Sequence, residues 1–203
     1  MSLTVTPLEE SGTKGARTRQ AILDAAIARF GREGFRATSV ADITRDAGVG
    51  GTVAYTYFPN KEALFLAAVD EDAAALIQMG LTFLDAQAGP DWRQPLLFAV
   101  AASVADHPLA RRLLAGLEPE VTGRVLTIPA LNDLRAACAQ RLRDEQVTGQ
   151  VRADIDPEVV GNGLVAVLLS ILMAVVQVGD TTALPYADAV EAVFRAALDP
   201  PAT

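Results

Sequence analysis

The chain has 203 residues, of which 51% are hydrophobic, and a formal net charge of -8. That length suits one ordinary domain or two small ones with a substantial core. A single cysteine, Cys138, excludes an intrachain disulfide and any metal site built on paired cysteines, which suits a reducing cytosol. The net acidity by itself argues against a nucleic-acid partner, but the average hides a split. From Thr13 to Lys61, eight basic residues face four acidic ones; from Glu62 onward, nine arginines face 19 carboxylates. A small basic module joined to an acidic body is the organisation this asymmetry predicts.

The opening segment, MSLTVTPLEESGTKG, has no apolar run and carries Glu9 and Glu10. It reads as a disordered tail over residues 1–13, not as a signal peptide. Helical periodicity begins at RTRQAILDAAIARFGREG, where Ile22, Ala26 and Phe30 recur at i+4 beside Leu23 and Ile27. Gly34 ends this helix. Ser39-x-x-Asp42 has capping-box spacing and opens a short helix, Val40 to Ala47, that Gly48 closes. A third short helix is expected from about Gly50 to Tyr57, broken by Pro59, with Asn60 capping a long fourth helix from Lys61 to about Gln87.

In the acidic body, Asp91 is placed to cap a helix from Trp92. A short helix follows His107-Pro108, and another is expected from near Glu118 to a break before Pro129. Pro129 to about Asp144 follows, rich in Arg and Ala. Asp156-Pro157 is an N-cap with proline at the first helical position. The helix it opens carries no charge from Val159 to Gly179. Its acidic flanks and its interruptions by Gly161, Asn162, Gly163, Ser170 and Gln177 favour a core or oligomer helix over a membrane span. A last helix runs from Pro185 to Leu198. No stretch alternates as a strand would, so the fold class is all-α.

Two short helices about a glycine turn read as helix-turn-helix. Gly48 can take the positive φ of the reversal. The second helix would lie in a DNA major groove, with Thr52 and Thr56 offering hydroxyls and Tyr55 a ring and a phenol. Val53, Tyr57 and Phe58 are expected to lock that helix onto Ile27, Phe30, Phe35, Val40 and Ile43. Lys61, poorly placed for a helix dipole at its N-terminal position, gains if a phosphate lies nearby. An enzyme finds little support. His107 sits before a proline at a helix start, Cys138 has no second histidine to pair with, and Gly48-x-Gly50-Gly51 follows a helix and not a strand. No catalytic residue, metal ligand or cofactor is expected.

Residues 17–65 closely resemble the DNA-binding domain of TetR-family transcriptional regulators. The resemblance rests on R-x-x-I-L-D-A-A (Arg19 to Ala26, with one residue fewer before Ile22), F-x-x-x-G-F-x-x-T-S-V-x-D-I (Phe30 to Ile43) and A-G-V-x-x-x-x-x-Y-x-Y-F-x-x-K-E-A-L (Ala47 to Leu64). It implies an N-terminal three-helix DNA-binding domain at 14–60 and a helical ligand-binding and dimerisation domain at 61–200, about nine helices. It further implies that Thr38, Tyr57 and Lys61 touch the phosphate backbone, with Gly50, Gly51, Thr52, Tyr55 and Thr56 nearest the bases. Gly50 and Gly51 depart from the polar residues usual there, so readout rests on Thr52, Tyr55 and Thr56, with an arm carrying Lys14, Arg17 and Arg19.

The function implied is a cytoplasmic, homodimeric repressor that binds a double-stranded operator and is released by a small hydrophobic effector. An architectural DNA-binding protein without an effector is the alternative, which the long acidic body disfavours. The uncharged helix and the last helix would form the dimer through Val167, Leu168, Ile171, Val175, Val190 and Phe194. Candidate pocket residues are the larger or polar groups of the body: Trp92, Phe98, Asn132, Arg135, Asn162, Met173 and Gln177. With no basic cluster on its apolar helices, the body should take a neutral or cationic ligand, not a phosphorylated one.

Overall fold

The computed structural model describes residues 8–87, 89, 91–183 and 185–200. Among them are ten α-helices, two short 3-10 segments and no strand. The chain divides into two compact units, 1–71 and 72–203. Of the expected N-terminal tail, residues 1–7 lie outside the described residues, and the backbone is helical from Leu8.

The first unit contains α1 (Leu8–Ala37), α2 (Val40–Asp46), α3 (Ala54–Tyr57) and the start of α4 (Lys61–Ala86). Gly34 breaks α1 with φ 85°, ψ 170°, a region closed to side chains with a Cβ, and the chain then resumes one more helical turn. The core is the predicted apolar stripe: Ile22, Leu23, Ala26 and Phe30 of α1 are fully buried, with Ile43 of α2. The rings of Phe30 and Phe65 meet edge to face at 5.0 Å, and Phe35 lies 5.0 Å from Phe65. Leu64, Phe65, Ala68 and Val69 are buried as well, so this unit takes in the first turns of α4 and extends past the expected boundary at residue 60.

The second unit is built from the rest of α4, α5 (Arg93–Ser103), α6 (Pro108–Leu114), α7 (Leu131–Val147), α8 (Pro157–Val178), α9 (Asp180–Ala183) and α10 (Pro185–Leu198). Asp156 caps α8 as its sequence predicts, accepting hydrogen bonds from Glu158 N at 2.9 Å and Val159 N at 3.4 Å. Asp91 does not cap α5; Trp92 occupies that position without a side-chain cap bond. The helix expected from Glu118 is instead a 3-10 segment, Thr122–Thr127. Pro119, Gly123 and Pro129 leave too few consecutive helix-forming residues for α-helix nucleation. Asp72 ties α4 to α6: its carboxylate accepts from the Leu109 and Ala110 amides at 2.9 and 2.8 Å and meets His107 Nδ1 at 2.9 Å.

Helices α7 and α8 approach closely where Gly161 faces Ala139. A Cβ on Gly161 would come 3.0 Å from the Ala139 backbone nitrogen, which cannot yield as a side chain can. Gly161→Ala should therefore destabilise the protein by about 1–3 kcal/mol, the usual cost of overpacking. Thermal unfolding would read this as a lowered Tm, and an unchanged or raised Tm would mean that the two helices separate freely.

Helix α8 is long and apolar enough to cross a membrane by length and composition, with a mean hydropathy of 2.5 over its most apolar window. Only 22% of that window is buried within the described subunit. Gly161, Leu164, Val165, Leu168 and Leu172 form its inward stripe, while Val159 and Val178 are exposed.

Candidate nucleic-acid interface

The helix-turn-helix assembles from local signals. Ser39 Oγ accepts from the Asp42 amide at 3.1 Å, the predicted N-cap, and donates to Asp42 Oδ2 at 2.6 Å, so the Asp42 side chain meets the Ser39 hydroxyl and not its amide. Gly48 takes φ 67° at the reversal. The segment after it is tighter than expected. Helix α3 spans four residues, and the approach to it is held by i→i+3 bonds, Val53 N to Gly50 O at 2.9 Å and Thr56 N to Val53 O at 3.1 Å. Gly50 and Gly51 have high conformational entropy, which shortens the regular helix at that end.

Within this segment the residues divide by exposure. Gly50, Gly51, Thr52, Tyr55 and Thr56 are exposed, Tyr55 at 54%. Ala54 and Phe58 point inward, 1% and 5% exposed. Sequence reasoning assigned the anchoring to Val53, Tyr57 and Phe58, but Val53 and Tyr57 are half-buried and Ala54 is the residue that meets the core. Its smallness lets α3 lie close on α1, and the only hint in the sequence is a small residue between two larger ones.

The residues expected at phosphates have distinct surroundings. Thr38 is 2% exposed and its hydroxyl donates to the Gly34 carbonyl at 2.8 Å, satisfying the acceptor that the break in α1 sets loose. Tyr57 is half-buried, its hydroxyl 3.5 Å from where a Cβ on Gly15 would lie. Lys61 is half-buried, with Nζ 4.4 Å from the centroid of the Phe35 ring. That contact fixes the stem of the lysine while its ammonium keeps donors for a further partner. Lys14, Arg17 and Arg19 are exposed on α1, Arg19 lying 5.3 Å from the Phe58 ring centroid.

Not every basic residue of this unit is available to DNA. Arg29 binds Asp46 through two bonds of 2.6 and 3.1 Å and also reaches Glu33, clamping α1 to α2. The hydrogen bond from Arg29, with its charge, holds the Asp46 carboxyl below its ordinary value of 3.8. A folded-state pKa below the unfolded one gives stability that is present above about pH 4 and is lost as pH falls through the depressed value. Asp46→Asn should thus lower stability at neutral pH and flatten the acid limb of the stability profile. An acid limb identical to that of the parent protein would show that the clamp contributes nothing.

The expected pocket residues are not gathered into one site. Trp92 is 1% exposed, its Nε1 donating to Glu145 Oε1 at 2.7 Å. Phe98 is 41% exposed, and Asn132, Asn162 and Gln177 lie at the surface, with Arg135 and Met173 half-buried. Asn132 and Arg135 bond each other at 3.0 Å, and Gln177 donates to the Leu114 carbonyl at 2.8 Å. Of the seven, Trp92 alone lines a narrow cleft, open to solvent, between α5, α7, α8 and α10. Val167, Leu168, Ile171, Val190 and Phe194, expected at the dimer contact, line the same cleft, whereas Val175 lies half-buried outside it. Leu168 is 9% exposed and so packs mainly inside its own subunit. Cys138 lies at the cleft floor, where burial pushes its thiol up to about 12 and leaves it unreactive.

A three-helix N-terminal unit with a capped second helix, a positive-φ glycine turn and an exposed polar third helix defines a helix-turn-helix DNA-binding module. Residues 22–68 match the model of the bacterial regulatory proteins of the tetR family. No curated protein matches the chain significantly. Among solved structures, a putative TetR-family transcriptional regulator from Mesorhizobium loti is 22% identical, with 92% of this chain and 98% of that one covered and a TM-score of 0.69. Salmonella enterica GusR is 23% identical over 89% of this chain and 95% of its own, with a TM-score of 0.67. Thermus thermophilus FadR, a TetR-family repressor in complex with lauroyl-CoA, is 23% identical over 87% and 91%, with a TM-score of 0.60. Residues 22–68 thus match the tetR family's DNA-binding segment, and the chain as a whole shares the fold of these solved regulators.

Proposed function

We propose that the protein is a cytoplasmic, homodimeric repressor that leaves its operator when a small, largely apolar ligand binds its helical body. In this reading residues 14–60 bind DNA, residues 61–200 bind the effector and the second subunit, and the chain is not an enzyme. The observation that carries it is the exposed row of Gly51, Thr52, Tyr55 and Thr56 on α3 and the turn that leads into it. Polar groups held on a packed helix have no structural work to do there, and they suit base edges in a major groove. Dimerisation is supported by α8, whose apolar residues outside the inward stripe are half-buried or exposed, and by Tyr186 and Val193 of α10, 68% and 67% exposed. An effector is supported by the apolar cleft and by the lauroyl-CoA that the similar FadR structure holds. Ligand release then requires only that the ligand favour a spacing of the two reading heads that no longer spans two successive grooves, a coupling of about 1–3 kcal/mol.

The experiment is operator binding by the purified protein across a salt series. Lys61→Ala should weaken binding to every sequence about equally and reduce the salt slope by roughly one unit. Tyr55→Ala or Thr52→Ala should instead change the preference among operator variants by about 1–3 kcal/mol at the affected position. An unaltered salt slope in the first variant would remove Lys61 from the phosphate contacts. A uniform loss in the second pair would make those side chains positioning groups and not readers.

A further inference from the structure

The cleft between α5, α7, α8 and α10 has apolar walls, among them Leu96, Leu164, Ile171 and Phe194, and one basic side chain, Arg93. The Arg93 side chain is 7% exposed. Its Nε and Nη1 make no hydrogen bond. Two carboxylates stand near without satisfying it: Glu145 Oε2 is 3.7 Å from Nη1 and Glu191 Oε1 is 3.6 Å from Nη2, both beyond hydrogen-bond length. Glu145 Oε2 likewise makes no hydrogen bond, while the other oxygen of that carboxylate is held by Trp92 Nε1 at 2.7 Å and by Arg141 Nε at 3.4 Å. Glu191 is shared with Arg195 at 3.8 Å. Buried donors are nearly always paired, so an arginine with unmade bonds in a cleft wall is a group awaiting an acceptor.

The charges around it decide which acceptor. Arg93, Arg141 and Arg195 face Glu145, Glu191 and Asp91, the last 3.7 Å from Arg195, while Asp188 at the same edge is bonded by Gln94. The cluster has no positive surplus. An entering carboxylate or phosphate would bring a charge with no partner into a low-dielectric site, where that is costly. A neutral oxygen can take the Arg93 donors at no such cost. We propose that this cleft is the effector site, and that Arg93 donates to a neutral carbonyl oxygen, of a ketone, ester, lactone or amide, on a ligand whose remaining surface is apolar. This inference rests on reading the body as an effector domain, but its test needs no DNA.

Trp92 lines the cleft and is the protein's single tryptophan, so its emission reports occupancy directly. Full-length protein is titrated with γ-decalactone and 2-undecanone as acceptor probes, and with decanoate and decylamine as matched ions. The acceptor probes should give saturable changes, with decanoate at least tenfold weaker. Arg93→Met should weaken the acceptor probes about tenfold or more, as loss of a hydrogen bond from a charged donor does. Arg143→Met, which removes an exposed ion pair with Glu158, should leave their affinity unchanged. If Arg93→Met does not fold by circular dichroism, Val190→Phe, which fills the cleft without touching its charges, should abolish binding instead. The proposal is overturned if no acceptor probe saturates, if decanoate binds more tightly than the lactone, or if Arg93→Met binds within twofold of the parent. It is also overturned if Arg93→Met and Val190→Phe alter the dimer dissociation constant while probe binding stays the same, since the cleft would then belong to the subunit contact. Probe binding as expected with operator affinity unmoved would leave the site standing and remove the release mechanism.

Discussion

Trp92→Ala should cost about 3–5 kcal/mol of stability, a large share of the 5–15 kcal/mol that holds a typical domain together. Trp92 is 1% exposed and among the largest fully buried side chains. Removing it opens a cavity beside α5 and takes away the 2.7 Å bond that fixes Glu145, itself 3% exposed. Burial already pushes the Glu145 carboxyl above the ordinary range, against the pull of Trp92, Arg93 and Arg141. Without the indole donor the carboxyl should move higher still. A raised folded-state pKa means that the folded protein binds the extra proton, so stability falls as pH rises from the ordinary value, 4.5, through the raised one. The variant should therefore be least impaired in mild acid. Denaturant unfolding at several pH values checks both statements, and a loss under about 1 kcal/mol would mean that the site collapses around the missing ring.

Val193→Glu should split the proposed dimer while leaving the isolated subunit nearly as stable as before. Val193 is 67% exposed on α10, so within its own subunit the charge meets water and the change should stay within about 0.5 kcal/mol. At a subunit contact the same carboxylate would be buried without a partner, at a cost of several kcal/mol. Leu168→Glu lacks this discrimination, because Leu168 is buried inside its own subunit and the variant would unfold before it dissociated. Operator affinity should fall about 10²–10⁴-fold with the dimer, since two linked reading heads bind with an effective concentration that one head lacks. Analytical ultracentrifugation decides the matter: a Val193→Glu protein that sediments as the parent dimer would put the contact elsewhere.

The helices themselves were legible in the sequence. Ser39 with Asp42, Gly48, Asn60 and Asp156 with Pro157 act on neighbours three or four residues away, so their effect travels with the local chain. The stripe of Ile22, Ala26 and Phe30 likewise states which face of α1 is buried before any partner is known. The charge split between the two parts of the chain needs no structure at all. The local signals overreached at α3, where two glycines shorten the expected helix, and after Glu118, where prolines and a glycine reduce it to a 3-10 segment.

What the tertiary structure decided is the use of each polar group. Thr38 looks like a phosphate contact in sequence, yet its hydroxyl closes the break at Gly34. Ala54, chemically silent in sequence, seats the third helix on the core. The larger and polar residues of the body look like one pocket set, but most of them face water on different helices. The arginine that lines the cleft, Arg93, had no sequence signal, because its environment is made by Glu145 on α7 and Glu191 on α10. Caps and apolar stripes repeat with the period of a helix, so the sequence alone determined the helices and the DNA-binding module. A buried charge cluster is made by packing residues distant in the chain and leaves no periodic trace, so only the folded structure shows it.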